Sequence, residues 1–174
     1  MEQLILVNEL DEVVGVMEKM EAHEKALLHR AFSVFVFNKQ HQLLLQKRAI
    51  TKYHSGGLWT NTCCSHPRPG EPTENAALRR LKEEMGFETK LTKAFTFVYQ
   101  ASFENGLTEN EFDHVYIGEY DGMVNANPDE VASFAYFGLD EIEKSMQEHP
   151  EHYTVWFQIA FPKLQNWYKA IHKL

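Results

Sequence analysis

The chain has 174 residues, of which 44% are hydrophobic and 13% aromatic, so one domain with a buried core is expected. Its formal net charge of −8 argues against binding to nucleic acid or to an anionic membrane surface, because either would need a basic face. No stretch approaches the roughly 20 apolar residues of a membrane span, and the acidic amino terminus lacks the basic flank of a signal peptide, so we expect a cytoplasmic protein.

The first third of the chain reads as short strands. Residues 3–7 and 13–17 are apolar runs on either side of a turn, and residues 18–28 form a polar segment that is partly helical or loop. Residues 31–37 alternate and are rich in β-branched and aromatic side chains, and residues 43–47 return as a second strand, which predicts a hairpin.

The remainder alternates between loop, helix and strand. Residues 51–59 form a glycine-containing loop, and residues 60–66 lead into a turn rich in proline and glycine. Thr73 is the predicted N-cap of a helix that ends at Gly86. Further strands are predicted at residues 94–103, 112–120 and around 131–137. Helices follow from Leu139, the last of them interrupted by Pro162, so we predict an α+β domain over residues 1–174, with mixed β-sheets flanked by helices.

The predicted helix ending at Gly86 carries a set of charges. Arg80 and Glu84 are four residues apart and therefore share a helix face. A carboxylate here suits Mg²⁺, which prefers oxygen ligands and accompanies diphosphate groups. Spacing alone favours a solvated charged helix, because such pairs are common.

A second group of residues has the chemistry of metal ligands. Glu109 and Glu111 are two apart on a predicted strand and therefore face the same side. With His23, His29 and His66, they would offer a mixed nitrogen and oxygen site suited to Zn²⁺ or Mn²⁺. The alternative is a set of unrelated surface histidines, since the chain contains nine.

The chain has only two cysteines, Cys63 and Cys64, and their adjacency strains an intrachain disulfide, so both are expected to be reduced thiols. In an extended segment Cys64 and His66 face the same side, which would bring a thiol beside a metal site. For Cys63 a structural role in the core is the simpler interpretation.

The segment around the predicted helix resembles the Nudix box, in which a glycine, a glutamate and the pattern Arg-Glu-apolar-x-Glu-Glu-x-Gly-apolar stand at fixed spacing. Glu71 and residues 79–87 fall into register with that box. Ser65 stands in place of its glycine, and Arg80 stands in place of a metal-binding glutamate. The resemblance therefore implies a Nudix scaffold with altered hydrolytic equipment.

The chain as a whole resembles the type I isopentenyl-diphosphate isomerases over residues 18–156. The segments that carry this resemblance are AHEKALLHRAFSVFVFN, QKRAITK, LWTNTCCSHPRPGE, RRLKEEMG and GLTENEFDHVY. It implies conversion of isopentenyl diphosphate to dimethylallyl diphosphate, a small-molecule diphosphate as partner, and a domain whose first 30 residues contribute metal ligands. It implies nothing about the oligomeric state.

The resemblance also implies roles for individual residues. Cys64 and Glu111 would be the catalytic acid–base pair. One divalent metal, Mn²⁺ or Zn²⁺, would be held by His23, His29, His66, Glu109 and Glu111, and Glu84 would bind Mg²⁺ shared with the diphosphate. The phosphate oxygens would be contacted by Lys19, Arg48, Lys52 and Arg80. Tyr99 would hydrogen-bond near Glu111, and Trp156 would face the hydrocarbon; its alternative role is packing on a carboxy-terminal helix.

Two other functions fit parts of the sequence. A Nudix pyrophosphohydrolase of nucleoside diphosphate derivatives fits the box, but Arg80 and the Cys64 and Glu111 groups argue against it. A non-catalytic module stabilised by metal fits the histidines, but structural zinc sites are commonly closed and rich in cysteine.

Overall fold

The computed structural model of the protein describes residues 2–52, 54–103 and 105–172. The strands are β1 (Gln3–Val7), β2 (Val13–Glu18), β3 (His29–Phe37), β4 (Leu43–Arg48), β5 (Trp59–Thr60), β6 (Cys63–Ser65), β7 (Leu91–Ser102), β8 (Thr108–Glu119) and β9 (Val131–Phe137). The helices are α1 (Lys19–Glu24), α2 (Thr73–Met85), α3 (Leu139–Glu148) and α4 (Val155–His172), with a 3-10 turn at Pro150–His152. None of the described helices is long and apolar enough to cross a membrane.

The central strand of the sheet is β3. It runs parallel to β8 through nine paired positions, from His29 opposite Glu111 to Phe37 opposite Glu119. It also pairs antiparallel with β6, where Ser33 lies opposite Cys64. The other pairings are antiparallel, so the sheet is mixed and the predicted α+β class is confirmed. Because β1, β4, β6 and β8 all pair with β3, side chains distant in sequence converge along it.

Two apolar clusters cover the faces of the sheet, because successive side chains of a strand point to opposite faces. Phe35 and Phe37 of β3 pack with α3 and α4 on one face. Val34 and Val36 pack with α2 on the other. The polar side chains of the strand ends lie beside this core.

Two details of the predicted helices were wrong. The N-cap of α2 is Pro72, and Thr73 is its first helical residue. Pro162 does not interrupt the last helix, since α4 continues from Val155 to His172 with the proline inside it. The buried side chains on both sides of Pro162, among them Phe161 and Leu164, explain this continuity. Their burial offsets the roughly 3 kcal/mol that an internal proline costs a helix.

The strands in the structure differ from the predicted ones in two short strands and in two starting positions. Residues 60–66, predicted only to lead into a turn, contain part of β5 and all of β6. The strands predicted at 94–103 and 112–120 begin earlier, at Leu91 and Thr108. Both short strands pair with longer neighbours, which supply the stability that their own length does not.

A polar cluster joins the β1–β2 turn to the central strands. Asp11 Oδ1 accepts a hydrogen bond of 2.7 Å from Arg30 Nε, and Asp11 Oδ2 lies 2.9 Å from His114 Nε2. Burial lowers the pKa of His114 to about 4, and the positive charge of Lys93 acts in the same direction. His114 therefore folds as a neutral imidazole.

This cluster predicts a loss of stability in acid. A histidine with a folded-state pKa near 4 and an ordinary unfolded pKa near 6.5 binds its proton preferentially in the unfolded state. Its contribution is therefore complete above about pH 6.5 and is lost as the pH falls toward 4. We expect the melting temperature of His114→Gln, measured by circular dichroism, to fall less between pH 7 and pH 5 than that of the wild type. Equal losses in the two proteins would contradict the assignment.

Candidate active site

Four buried or nearly buried residues that could bind a metal converge at the end of β3. His23 comes from α1, His29 begins β3, His66 follows β6, and Glu111 belongs to β8. One ligand atom from each lies within 4.8 Å of every other. The pairing of β3 with β8 places His29 opposite Glu111 and so brings together residues that are far apart in the sequence. The structure thus brings together four of the five residues predicted to bind one metal.

The orientation of the histidines suits a metal ion. His23 Nδ1 lies 2.6 Å from the Lys19 carbonyl oxygen, and His29 Nδ1 lies 2.8 Å from that of Leu27. A carbonyl can only accept, so each Nδ1 carries a proton, and in the neutral ring each Nε2 presents a lone pair. His23 Nε2 is buried without a hydrogen-bond partner among the described residues. Such an atom fits a divalent cation, and ligating histidines usually have this second hydrogen bond.

Glu111 carries the negative charge of the cluster. One of its oxygens lies 2.9 Å from His66 Nε2 and 3.6 Å from His29 Nε2. Burial favours the protonated acid, but the two imidazoles outweigh it and lower the pKa of Glu111 below its ordinary value. For His29, burial is likewise outweighed, and Glu111 raises its pKa. The carboxylate is therefore ionised in a largely closed environment.

Glu109, the fifth predicted ligand, lies beside this set but has other contacts. The Tyr99 hydroxyl lies 2.8 Å from Glu109 Oε2 and 2.6 Å from Glu111 Oε2. Both carboxylates project from the same face of β8, as their spacing predicted. A single hydroxyl proton serves two carboxylates here, so Tyr99 couples their positions. The predicted ligation of a metal by Glu109 stays a prediction.

Cys64 lines the same cavity as Glu111, His66 and Tyr99. It is positioned by β6, whose antiparallel pairing places it opposite Ser33. Burial raises the pKa of the Cys64 thiol well above its ordinary value, so the thiol keeps its proton. Cys63 points to the opposite face and packs in the α2 core, as predicted for a structural cysteine. The adjacent cysteines therefore differ in environment, and both are free thiols.

The four predicted phosphate-binding cations line this cavity: Lys19, Arg48, Lys52 and Arg80. Arg80 donates hydrogen bonds to Glu83 at 2.6 Å and to Glu84 at 2.7 Å. Glu130 pairs with both Lys52 and Arg80. Each of these two cations is balanced by a carboxylate, which lowers the cost of gathering positive charge in a confined space.

Glu84 is buried although it lies on a charged helix. Its second oxygen accepts a hydrogen bond of 2.8 Å from Gln46 Nε2 on β4. Gly86 ends α2 with φ at +74°, a conformation that favours glycine, and a Cβ there would collide with the Asn125 carbonyl oxygen. The helix therefore ends tightly against the chain beyond it, with Glu84 directed into the cavity. This position excludes the solvated-helix interpretation for Glu84.

Trp156 forms an aromatic wall of the cavity at the start of α4. Its side chain is buried, and the Arg48 guanidinium carbon lies 5.1 Å from the centre of its ring system. It packs with the apolar cluster of α3 and α4, so the predicted packing role and the position at the cavity coexist.

Several cavity residues were not predicted from the sequence: Ser33, Gln46, His54 and Glu130. Gln46 and Glu130 have no motif of their own and act through contacts distant in the chain. His54 stands in the segment HSGG, where an imidazole beside two glycines in a loop was the available signal.

Comparisons with known proteins agree with this architecture. A family model described as NUDIX domain matches residues 27–157. The MutT protein from Methanosarcina mazei has a similar structure, with a TM-score of 0.65 and 16% identity over 80% of this chain and 94% of its own. The MutT NUDIX hydrolase from Burkholderia pseudomallei gives a TM-score of 0.62 and 22% identity over 78% and 96%. The class defined by the fold is therefore that of the NUDIX-domain proteins, which generally use divalent metal ions.

The sequence relatives define the group within that class. The isopentenyl-diphosphate Delta-isomerase of Pectobacterium atrosepticum is 53% identical over 97% of this chain and 94% of its own length. That of Burkholderia multivorans is 48% identical over 95% and 97%. The chain belongs to the isopentenyl-diphosphate Delta-isomerase family.

The geometry predicts where a divalent metal binds. We expect His29→Ala to lower Mn²⁺ affinity by about tenfold or more, because it removes one inward-facing nitrogen from the buried cluster. The matched control is His152→Ala, from an exposed group of possible ligands formed by His149, Glu151 and His152. Titration calorimetry of the metal-free proteins measures both. A loss of affinity in the control but not in His29→Ala would contradict the buried site.

Proposed function

We propose that this enzyme converts isopentenyl diphosphate to dimethylallyl diphosphate by adding a proton to one carbon and removing a proton from another. The observation that carries the proposal is that the protonated Cys64 thiol, the ionised Glu111 carboxylate and a group of cations line one and the same cavity. The names of the sequence relatives point to the same reaction.

Cys64 and Glu111 are the proposed acid–base pair. Protonation of the terminal alkene carbon creates a cation at the neighbouring tertiary carbon, and loss of a proton from the carbon on its other side forms the new double bond. One member of the pair supplies the first proton and the other accepts the second; which member does so reverses with the reaction direction. The Tyr99 hydroxyl supports this arrangement through its contact with Glu111.

We propose that His23, His29, His66, Glu109 and Glu111 hold one divalent metal, either Mn²⁺ or Zn²⁺. The inward-facing nitrogens of His23 and His29 support this assignment. When bound, the ion supplies positive charge that fixes the Glu111 carboxylate. Part of this site comes from residues 1–30, which we propose to be an extension of one Nudix-like domain spanning residues 1–174.

The diphosphate is proposed to lie against Lys19, Arg48, Lys52 and Arg80, and Glu84 would hold the Mg²⁺ that accompanies it. The confinement of Glu84 beside Arg80 supports this, because a hard cation and an anionic substrate balance each other there. In this position Arg80 would bind the diphosphate without cleaving it, because it replaces the glutamate that would bind a metal in the Nudix box.

Trp156 is proposed to face the hydrocarbon part of the substrate. An aromatic face stabilises a desolvated cation by about 2 kcal/mol or more, and tryptophan is the most effective such face. The closed aromatic wall also keeps water from trapping the cation as an alcohol. The reaction suits a cytoplasmic enzyme with free thiols, which is the location we propose.

A pyrophosphohydrolase is the second candidate, favoured by the NUDIX domain itself. Arg80 argues against it. A hydrolase needs carboxylates on this helix to bind the metal that activates water. Here Arg80 forms ion pairs with Glu83 and Glu84 and neutralises their charge.

The test is conversion of isopentenyl diphosphate by purified protein with Mg²⁺ and Mn²⁺, followed by NMR. We expect Cys64→Ala and Glu111→Gln to reduce kcat by about 100-fold or more, the range of a lost acid or base. Cys63→Ala is the matched control and should retain most activity, because Cys63 packs in the α2 core and does not line the cavity, although its thiol lies beside Glu84. No conversion by the wild type, together with phosphate release from nucleoside diphosphate derivatives, would favour the hydrolase.

A further inference from the structure

His54 lies inside the cavity, on the segment between β4 and β5. Its side chain is only 5% exposed, and it lines the cavity with Cys64, Glu109 and Trp156. A buried imidazole loses hydration on folding, so its position reflects specific contacts. Its contacts include polar ones, with Glu109 and with the neighbouring Ser55 hydroxyl, and aromatic ones.

The His54 side chain has a polar contact with Glu109, which lies on a different element of the fold. His54 Nε2 lies 3.3 Å from Glu109 Oε1, while the other oxygen of this carboxylate faces the Tyr99 hydroxyl at 2.8 Å. Glu109 therefore has a hydrogen bond from Tyr99 on one oxygen and the His54 imidazole close to the other. Carboxylates that bind metals are commonly oriented by such neighbouring groups.

The aromatic contacts place His54 against Phe103 and Trp156, the latter being the aromatic wall of the cavity. Its ring stacks on Phe103, with centroids 4.7 Å apart and an interplanar angle of 14°. It also meets the Trp156 ring edge to face at 5.6 Å and 81°. In addition, the His54 carbonyl oxygen accepts a hydrogen bond of 3.4 Å from Arg48, which itself lies over Trp156.

We propose that His54 is a positioning residue that holds the Glu109 carboxylate toward the metal site and the Trp156 ring against the hydrocarbon of the substrate. Its Nε2 faces Glu109 Oε1 at 3.3 Å as the donor that would hold this carboxylate, and its ring lies against both Phe103 and Trp156. The inference rests on the proposed function, because it assigns His54 a task at that same site. It adds to that site a residue that acts through Glu109 and Trp156.

Two substitutions separate the two contacts. His54→Phe keeps an aromatic ring beside Trp156 but removes the donor to Glu109. His54→Gln keeps a donor but removes the ring. His114→Gln is the matched control, because His114 is also a buried histidine next to a carboxylate and lies outside the cavity.

Three quantities are measured for each protein: Mn²⁺ affinity of the metal-free form without diphosphate, melting temperature of that form, and kcat and KM for isopentenyl diphosphate. We expect His54→Phe to weaken Mn²⁺ binding by about tenfold or more, the usual effect of losing a hydrogen bond to a ligand. We expect His54→Gln to bind Mn²⁺ within about threefold of the wild type but to lower kcat by about tenfold, because Trp156 loses its neighbour. His114→Gln should leave all but the melting temperature unchanged.

The wild type provides a test that does not depend on variant folding. In the nitrogen-15 spectrum of metal-free protein, His54 should carry its proton on Nε2, and a proton on Nδ1 alone would overturn the proposal. Mn²⁺ affinity and kcat within twofold of the wild type in both variants would also overturn it and leave His54 a packing residue. An inactive wild type would instead reject the proposed function, while the Mn²⁺ titration would still decide whether His54 holds Glu109.

Discussion

The parallel pairing of β3 with β8 is the constraint on which the site depends. Its register places His29 opposite Glu111, and the pairing of β3 with β6 on its other side places Cys64 opposite Ser33. A slip of one residue in either register would turn the paired side chains to the opposite face of the sheet. His29, Glu111 and the Cys64 thiol are thus positioned by the backbone hydrogen bonds of a buried strand, which fix side chains more closely than loops do.

Charge balance is the second constraint. The chain is acidic, with a formal net charge of −8, yet it gathers four cations around one cavity. Glu84 and Glu130 balance Arg80, and Glu130 also balances Lys52. The proposed diphosphate and its metal would replace some of these ion pairs, because the diphosphate can pair with the cations and the metal can pair with a carboxylate. The carboxylates that balance the cations in the free protein are therefore also suited to an ionic ligand.

The sequence predicted the elements better than their junctions. Alternation identified β3, and the glycine at position 86 marked the end of α2, because these signals are local. Short β5 and β6 escaped prediction, since two or three residues carry no period of their own. Pro162 was misjudged because the burial of side chains around it depends on the whole domain.

The candidate site was predictable where residue types and motifs were distinctive, as for Cys64, His66 and Glu111. It was not predictable where a common residue acquires its role through a distant contact. Gln46 reaches Glu84 on another element, and His54 reaches Glu109. The convergence of these residues depends on tertiary packing, which short sequence patterns do not encode.

The most direct test of the account is isomerisation of isopentenyl diphosphate in D₂O, with the product analysed by NMR. If one group adds a proton and another removes one, dimethylallyl diphosphate should carry deuterium in the newly formed methyl group. The label should appear at the rate of conversion, and both should fall together in Cys64→Ala and Glu111→Gln. Product formed at the wild-type rate without deuterium would show that hydrogen moves within the substrate, which would contradict an acid–base pair at this site.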